Sequence, residues 1–279
     1  MYEVGGIING SSFDSNTSIQ SIIIKMLGDS TSLDHDTTPP NTRYEVKNLG
    51  TWSSIEDVDD FFSTCNHNTN YYGATIGSYV TIKDGIYNKT WVIAGFDMEH
   101  NKIAADETVY DNGYGICLIP KNSLGNAIWN SSDTSKGYYG STMHTSVLPT
   151  VANNLKKILG GHLIKRNVLL SNGRDENNYY AYGYEWTTAY CTLMSMGQIT
   201  GTFKSARNKY DDGEANYKLP LFNYEKWSFD AKAWLRAPWG YNYGIYNKGN
   251  LVYCLTTSGG EDKAGPSDKC ALRPLIYIK

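Results

Sequence analysis

Apolar residues at Ile19, Ile22, Ile23, Met26 and Leu27 recur at helical spacing, so Ser18 to Leu27 predicts a short helix that Gly28 stops. A helix of about ten residues does not hold together alone in water. It needs a partner surface, either two further copies of itself in a symmetric bundle or the body of its own chain. Asp29 to Thr42 then loses periodicity, is rich in Ser, Thr and Asp, and carries Pro39-Pro40, which marks a connector and puts a boundary near residue 40. Ser54 to Phe62 predicts a second helix. Ser54 suits the N-cap, Asp57 falls at the third helical position, and Glu56, Asp57, Asp59 and Asp60 crowd the positive end of the dipole. That dipole explains the acids better than a bound metal does.

From Tyr72 the period shortens. Gly77 to Ile82 and Thr90 to Phe96, separated by a turn at Asp84-Gly85, predict an antiparallel pair, and Tyr114 to Ile119 a further apolar strand. Helical spacing returns over Val147 to Leu159, where Leu148, Val151, Leu155, Ile158 and Leu159 form one stripe and Gly160-Gly161 ends it. His162 to Leu170 reads as a strand, Thr188 to Ser195 as a short helix after Trp186, and the polar stretch 201–217 as a surface excursion. The closing segments, Trp234 to Arg236, Gly244 to Asn247, Asn250 to Thr256 and Cys270 to Ile278, read as a meander of strands with long loops. Strands and helices do not alternate as βαβ units, so the class is α+β around an antiparallel sheet.

Two arginines interrupt otherwise apolar runs, Arg236 in Trp234-Leu235-Arg236 and Arg273 in Ala271-Leu272-Arg273-Pro274. An unpaired charge there would be expensive, so both are expected to be paired or stacked and to serve the structure, as are Trp91, Trp186 and Trp234. Between the arginines lies a polar aromatic stretch. Tyrosines (23) far outnumber phenylalanines (7), a usage that suits rings with one wet end. Trp239, Tyr241, Asn242, Tyr243, Tyr246 and Asn247 are the candidate ligand-binding residues, because Tyr and Asn give contact area and adaptable hydrogen bonds at low entropic cost. Against sugars, aromatic faces stack on the pyranose while amides take its hydroxyls.

The formal net charge is −3 and no long basic run occurs, which argues against nucleic acid as a partner. The close basic pairs, Lys156-Lys157 and Lys165-Arg166, read as solvated helix faces. Neither a leader peptide nor an apolar run of about 18 residues is visible, so no membrane insertion is expected. The five cysteines (Cys65, Cys117, Cys191, Cys254, Cys270) have no C-x-x-C spacing and are expected to be free thiols, although Cys254 and Cys270 could meet across a hairpin.

A catalytic constellation is harder to find. The five histidines (His35, His67, His100, His144, His162) are scattered without zinc-motif spacing, and His144 and His162 read as capping or packing groups. Asp97 and Glu99, two apart at a strand end, could approach the separation of about 5 Å that a retaining glycosidase uses, but a solvated strand end is the commoner meaning. Glu261, Asp262, Ser267 and Asp268 share one loop without the Glu-Pro-Asn tripeptide of calcium-dependent lectins. No enzyme activity, metal or cofactor is expected.

From Ala74 to Lys279 an ordered series of segments resembles the DUF6273 family. These are Ile76-Gly77-Ser78-Tyr79-Val80, Trp91 to Phe96, Trp186-Thr187, Leu193 to Gly201, Trp234-Leu235-Arg236 and Leu272-Arg273-Pro274. The family comprises domains of unassigned chemistry in Gram-positive bacteria and their phages and is similar to the wider C-type-lectin-like group. That group also contains formylglycine-generating oxidases, which need a close pair of reactive cysteines; Cys254 and Cys270 are the conceivable pair here, and little around them would activate a thiol. The start, Val4 to Asp14 leading into Thr17 to Gly28, resembles the junction module of phage tail and fibre proteins.

Together the resemblances imply an N-terminal junction and oligomerisation module with linker over 1–40 and a C-type-lectin-like domain over 41–279. They imply a virion protein, assembled in the host cytoplasm, that binds a host cell-surface glycan or protein without catalysis. It would contact other virion proteins through its N-terminal module, as a homotrimer. The alternatives are a structural virion component such as a head fibre or baseplate decoration, a bacterial surface adhesin, or a lectin-fold enzyme.

Overall fold

The computed structural model describes residues 6–8, 11–13, 45–65, 71–100, 102–103, 108–132, 134–172, 184–201, 218–224, 230–239 and 251–279. The helix expected over Ser18 to Leu27, the boundary near residue 40 and the excursion over 202–217 lie outside them. Within the expected N-terminal module, β1 (Gly6–Ile8) and β2 (Ser11–Phe13) pair as an antiparallel hairpin. The residues between them are Asn9-Gly10, the dipeptide that tight hairpins favour.

The body begins with β3 (Asn48–Trp52) and α1 (Ile55–Thr64). Ser54 caps α1 in a reciprocal box with Asp57, as its sequence predicts. There follow β4 (Tyr79–Ile82), β5 (Lys89–Phe96), the short pair β6 (Lys102–Ile103) and β7 (Val109–Tyr110), then β8 (Ile116–Pro120) and β9 (Asn126–Ala127). A π-type turn over Met143–Val147 runs into α2 (Leu148–Leu159). Next come β10 (Arg166–Ser171), β11 (Tyr184–Ala189), β12 (Cys191–Leu193), α3 (Met196–Thr200) and α4 (Leu221–Tyr224). The chain closes with β13 (Ala233–Trp239), β14 (Leu251–Leu255), β15 (Glu261–Ala264), β16 (Cys270–Ala271) and β17 (Pro274–Ile278).

These strands make two main sheets, of order β12-β17-β8-β5-β4-β3 and β15-β14-β13-β16-β9. Pairing is antiparallel except for β3 with β4 and one residue pair of β13 with β16, so the described body is α+β and mostly antiparallel. The β4–β5 pair is antiparallel as expected, with Tyr79 opposite Val92. Strands β8 and β17 are buried along their whole length, which is why Ile116 to Pro120 and Pro274 to Ile278 read as apolar runs without alternation. One continuous core draws on both sheets, with Val58 of α1 and the Leu148, Val151, Leu155 and Leu159 stripe of α2 packed into it. The approach of β17 to the β8 segment leaves no room beside Gly115, where a Cβ would stand 2.8 Å from the Ile278 carbonyl oxygen. Among the described residues no helix is long and apolar enough to cross a membrane.

Three expectations are corrected. Thr188 to Ser195 is not a helix: β11 and β12 occupy it, with a bend at Tyr190, because Trp186, Thr187, Thr188 and Thr192 suit strands and find partners in β10 and β17. The helix starts one step later, where Ser195 and Gln198 form a capping box and Gly201, in the left-handed region, ends it. The strand expected from His162 begins only at Arg166, since Gly160–His162 is a single 3-10 turn. The closing meander holds for β13 and β14 and gains an unexpected β15; its Gly244 to Asn247 segment lies outside the described residues, and Cys270 to Ile278 breaks at Leu272-Arg273 into two strands of different sheets.

The π-type turn carries His144, half-buried against the rings of Tyr138 and Tyr139. Burial holds its pKa below the ordinary imidazole value of 6.5, so the native ring is neutral at pH 7. As pH falls below about 6.5 the unfolded chain takes up this proton first, and stability is lost towards the depressed native value; above it the group contributes nothing to pH dependence. His144→Phe should therefore show a shallower fall of Tm between pH 7 and pH 5 than the parent chain, and parallel curves would contradict this.

Candidate functional site

Strand β13 sets the position of the aromatic stretch. Residues 233–237 are all buried, Trp234 lies opposite Cys254, and Trp239 lies opposite Leu251. The register shifts between Trp234 and Pro238, an irregularity that accommodates a proline lacking a ladder donor. The Arg236 N–H donates to the Met194 carbonyl at 3.0 Å, just past the end of β12. The strand is thus tied to both sheets. Residues 240–250 join two paired strand ends, Trp239 and Leu251. Of the candidate binding residues, Trp239 ends β13, whereas Tyr241, Asn242, Tyr243, Tyr246 and Asn247 lie outside the described residues.

Arg236, Arg273, Trp91 and Trp234 are fully buried, in keeping with the structural role expected for them. Trp234 Nε1 donates to the Ala127 carbonyl at 2.7 Å, reaching from β13 across β16 to β9. Arg273, at the crossover between sheets, donates to the carbonyls of Pro120 (2.8 Å) and Lys121. Burial pulls its pKa down, and the nearby Asp230 carboxylate opposes this. Trp186 is only half-buried, edge-on to Tyr110 in a small satellite cluster.

Arg166 overturns its expected place on a solvated helix face. It opens β10 with its side chain fully buried, because three partners wait inside. Its Nη1 lies 2.9 Å from Glu99 Oε1, its Nη2 donates to Thr192 Oγ1 at 3.0 Å, and its guanidinium sits 4.3 Å from the centre of the Tyr277 ring. The other Glu99 oxygen accepts from Asn112 Nδ2 at 3.1 Å, and Asn112 pairs onward with the Asn167 backbone at 2.7 and 3.0 Å. Lone basic residues on amphipathic strands give no sequence sign of this.

The same geometry disposes of Asp97 and Glu99 as a glycosidase pair. Asp97 stands at φ 54, past the end of β5, and its Oδ1 accepts from the Gly115 N–H at 2.8 Å, while Glu99 is held by Arg166 in the interior. His162 stacks on Phe62 with ring centres 4.6 Å apart, and its nitrogens meet Asp59 Oδ1 (2.7 Å) and the Lys279 carbonyl (2.6 Å), a packing role. In the last loop, Asp262 pairs with Lys232 at 2.8 Å and Asp268 accepts from the Gly265 N–H at 2.8 Å. Among the described residues no group of three His, Cys, Asp or Glu side chains is arranged to hold a metal ion.

Cys254 and Cys270 do come together, although not across a hairpin: their strands flank β13 on opposite sides. A hydrogen bond between the thiols raises the pKa of Cys254, with burial adding to the rise, and lowers that of Cys270. Both are free thiols and both are buried. Comparison of the chain with protein-family models, with curated proteins and with solved structures returns no match.

Proposed function

We propose that this chain is a phage fibre or tail protein whose distal domain, of C-type-lectin-like and DUF6273-like architecture, binds a host-surface glycan or protein without catalysis. One observation carries the reading. The tyrosine- and asparagine-rich stretch 240–250 joins the paired ends of β13 and β14, strands whose other residues are locked into a two-sheet core. Recognition residues on a rigid scaffold lose little entropy when they bind. The N-terminal module would join the domain to other virion proteins as a homotrimer.

The test is binding of the full chain to whole cells and cell-wall extracts of candidate Gram-positive hosts, beside a Tyr241→Ala/Tyr243→Ala/Tyr246→Ala variant. Saturable binding should fall at least tenfold in the variant while its Tm stays unchanged. Binding that ignores the three tyrosines would move recognition to another face, and no binding to any host preparation would favour a structural virion component.

A further inference from the structure

A cleft of about 300 Å³ opens between the first turns of α2 and the bend joining β11 to β12. Its walls divide by chemistry. Leu148, Ala152 and Ala189 are buried and give an apolar floor. His144, Asn153, Thr188 and Tyr190 bring an imidazole, an amide and two hydroxyls around it. The lining holds no carboxylate, lysine or arginine, and the imidazole is neutral at pH 7. The nearest cation, Lys156, is engaged with Tyr190 at the edge, so the lining itself is suited to an uncharged ligand.

His144 narrows the class further. Its Nδ1 is enclosed and has no hydrogen-bond partner among the described residues, and a buried N–H without an acceptor is the rarer and costlier arrangement. That assigns the proton of the neutral ring to Nε2, and with it a donor to a site floored by aliphatic carbon. Tyr190 is steadied by Lys156, whose Nζ stands 5.1 Å from the ring centre and donates to the phenol oxygen at 3.3 Å. Asn153 and Thr188 are exposed at the rim, where each can both donate and accept. A donor above an apolar floor matches an acetamido group, its carbonyl on the donor and its methyl on the floor, while rim amide and hydroxyls match the hydroxyls of a sugar ring.

We infer that this cleft is a binding site for N-acetylated hexosamines, separate from the 239–247 stretch. Saturation-transfer NMR of the full chain with N-acetylglucosamine and with glucose tests it, together with Asn153→Ala, which removes the rim amide, and Thr188→Trp, which fills the mouth from an exposed strand position. N-acetylglucosamine should bind at least tenfold more tightly than glucose, with the strongest transfer to its acetyl methyl. Each variant should weaken it at least fivefold with Tm unchanged. Equal binding of glucose, binding indifferent to both variants, or no binding at all would overturn the assignment. The free-sugar experiment leaves the tyrosine-variant result on whole cells untouched, so the two readings fail separately.

Discussion

Glu99→Ala is expected to lower folding stability by about 3–5 kcal/mol, the usual range for removing one partner of a buried ion pair. The residue is 2% exposed and Arg166 is 0% exposed, so the guanidinium left behind could not reach water. Arg166→Ala should be comparably harmful, because it also strips Tyr277 of its cation and leaves the Thr192 hydroxyl without its donor. Replacing both partners with apolar residues of similar volume, Glu99→Leu with Arg166→Met, removes the stranded charge and should be less damaging than either single change. Urea unfolding of the four proteins measures this. A double variant worse than both singles would show that the pair contributes through its hydrogen-bond network rather than through charge compensation. Such a pair also narrows how β10 can meet the β12–β17 edge, since few registers bring Arg166 to both Glu99 and Thr192.

Trp234→Ala should cost about 3–5 kcal/mol through loss of a large buried side chain and the cavity it leaves. The more informative change is Trp234→Phe. It keeps most of the apolar area but removes the Nε1 donor to the Ala127 carbonyl; the expected cost is about 1–3 kcal/mol. Because that bond runs from β13 to β9, amide exchange near Asn126 and Ala127 should quicken more than exchange in β14. Uniform quickening across the sheet would mean that the indole acts by volume alone.

The parts of this fold legible in the sequence are those in which local chemistry and tertiary environment agree. The Ser54–Asp57 box, the stripe of α2 and the β4–β5 pair each have their own signal, in a capping residue, a period or a turn. Two further elements carry a signal in the sequence, Asn9-Gly10 between β1 and β2 and the Ser195–Gln198 box that starts α3. What could not be read depends on distant partners. Arg166 looks like any surface cation until Glu99, far along the chain, comes beside it, and Thr188 to Ser195 becomes strand only because β10 and β17 offer edges. The candidate cleft is likewise assembled from His144, α2 and the β11–β12 bend, and no single segment carries its pattern. Of the tyrosine-rich stretch, the sequence supplies the composition, and the paired ends of β13 and β14 supply the anchorage.

Strand β17 comes last among the described strands, yet it lies inside its sheet, between β12 and β8, and Leu163 bridges to it as well. During synthesis the β3-β4-β5-β8 ladder would therefore wait with an open, wholly apolar flank until Pro274 to Ile278 clears the ribosome. That wait makes closure a long-range and hence slow event, and creates a period in which the unfinished edge invites a chaperone or a neighbouring nascent chain.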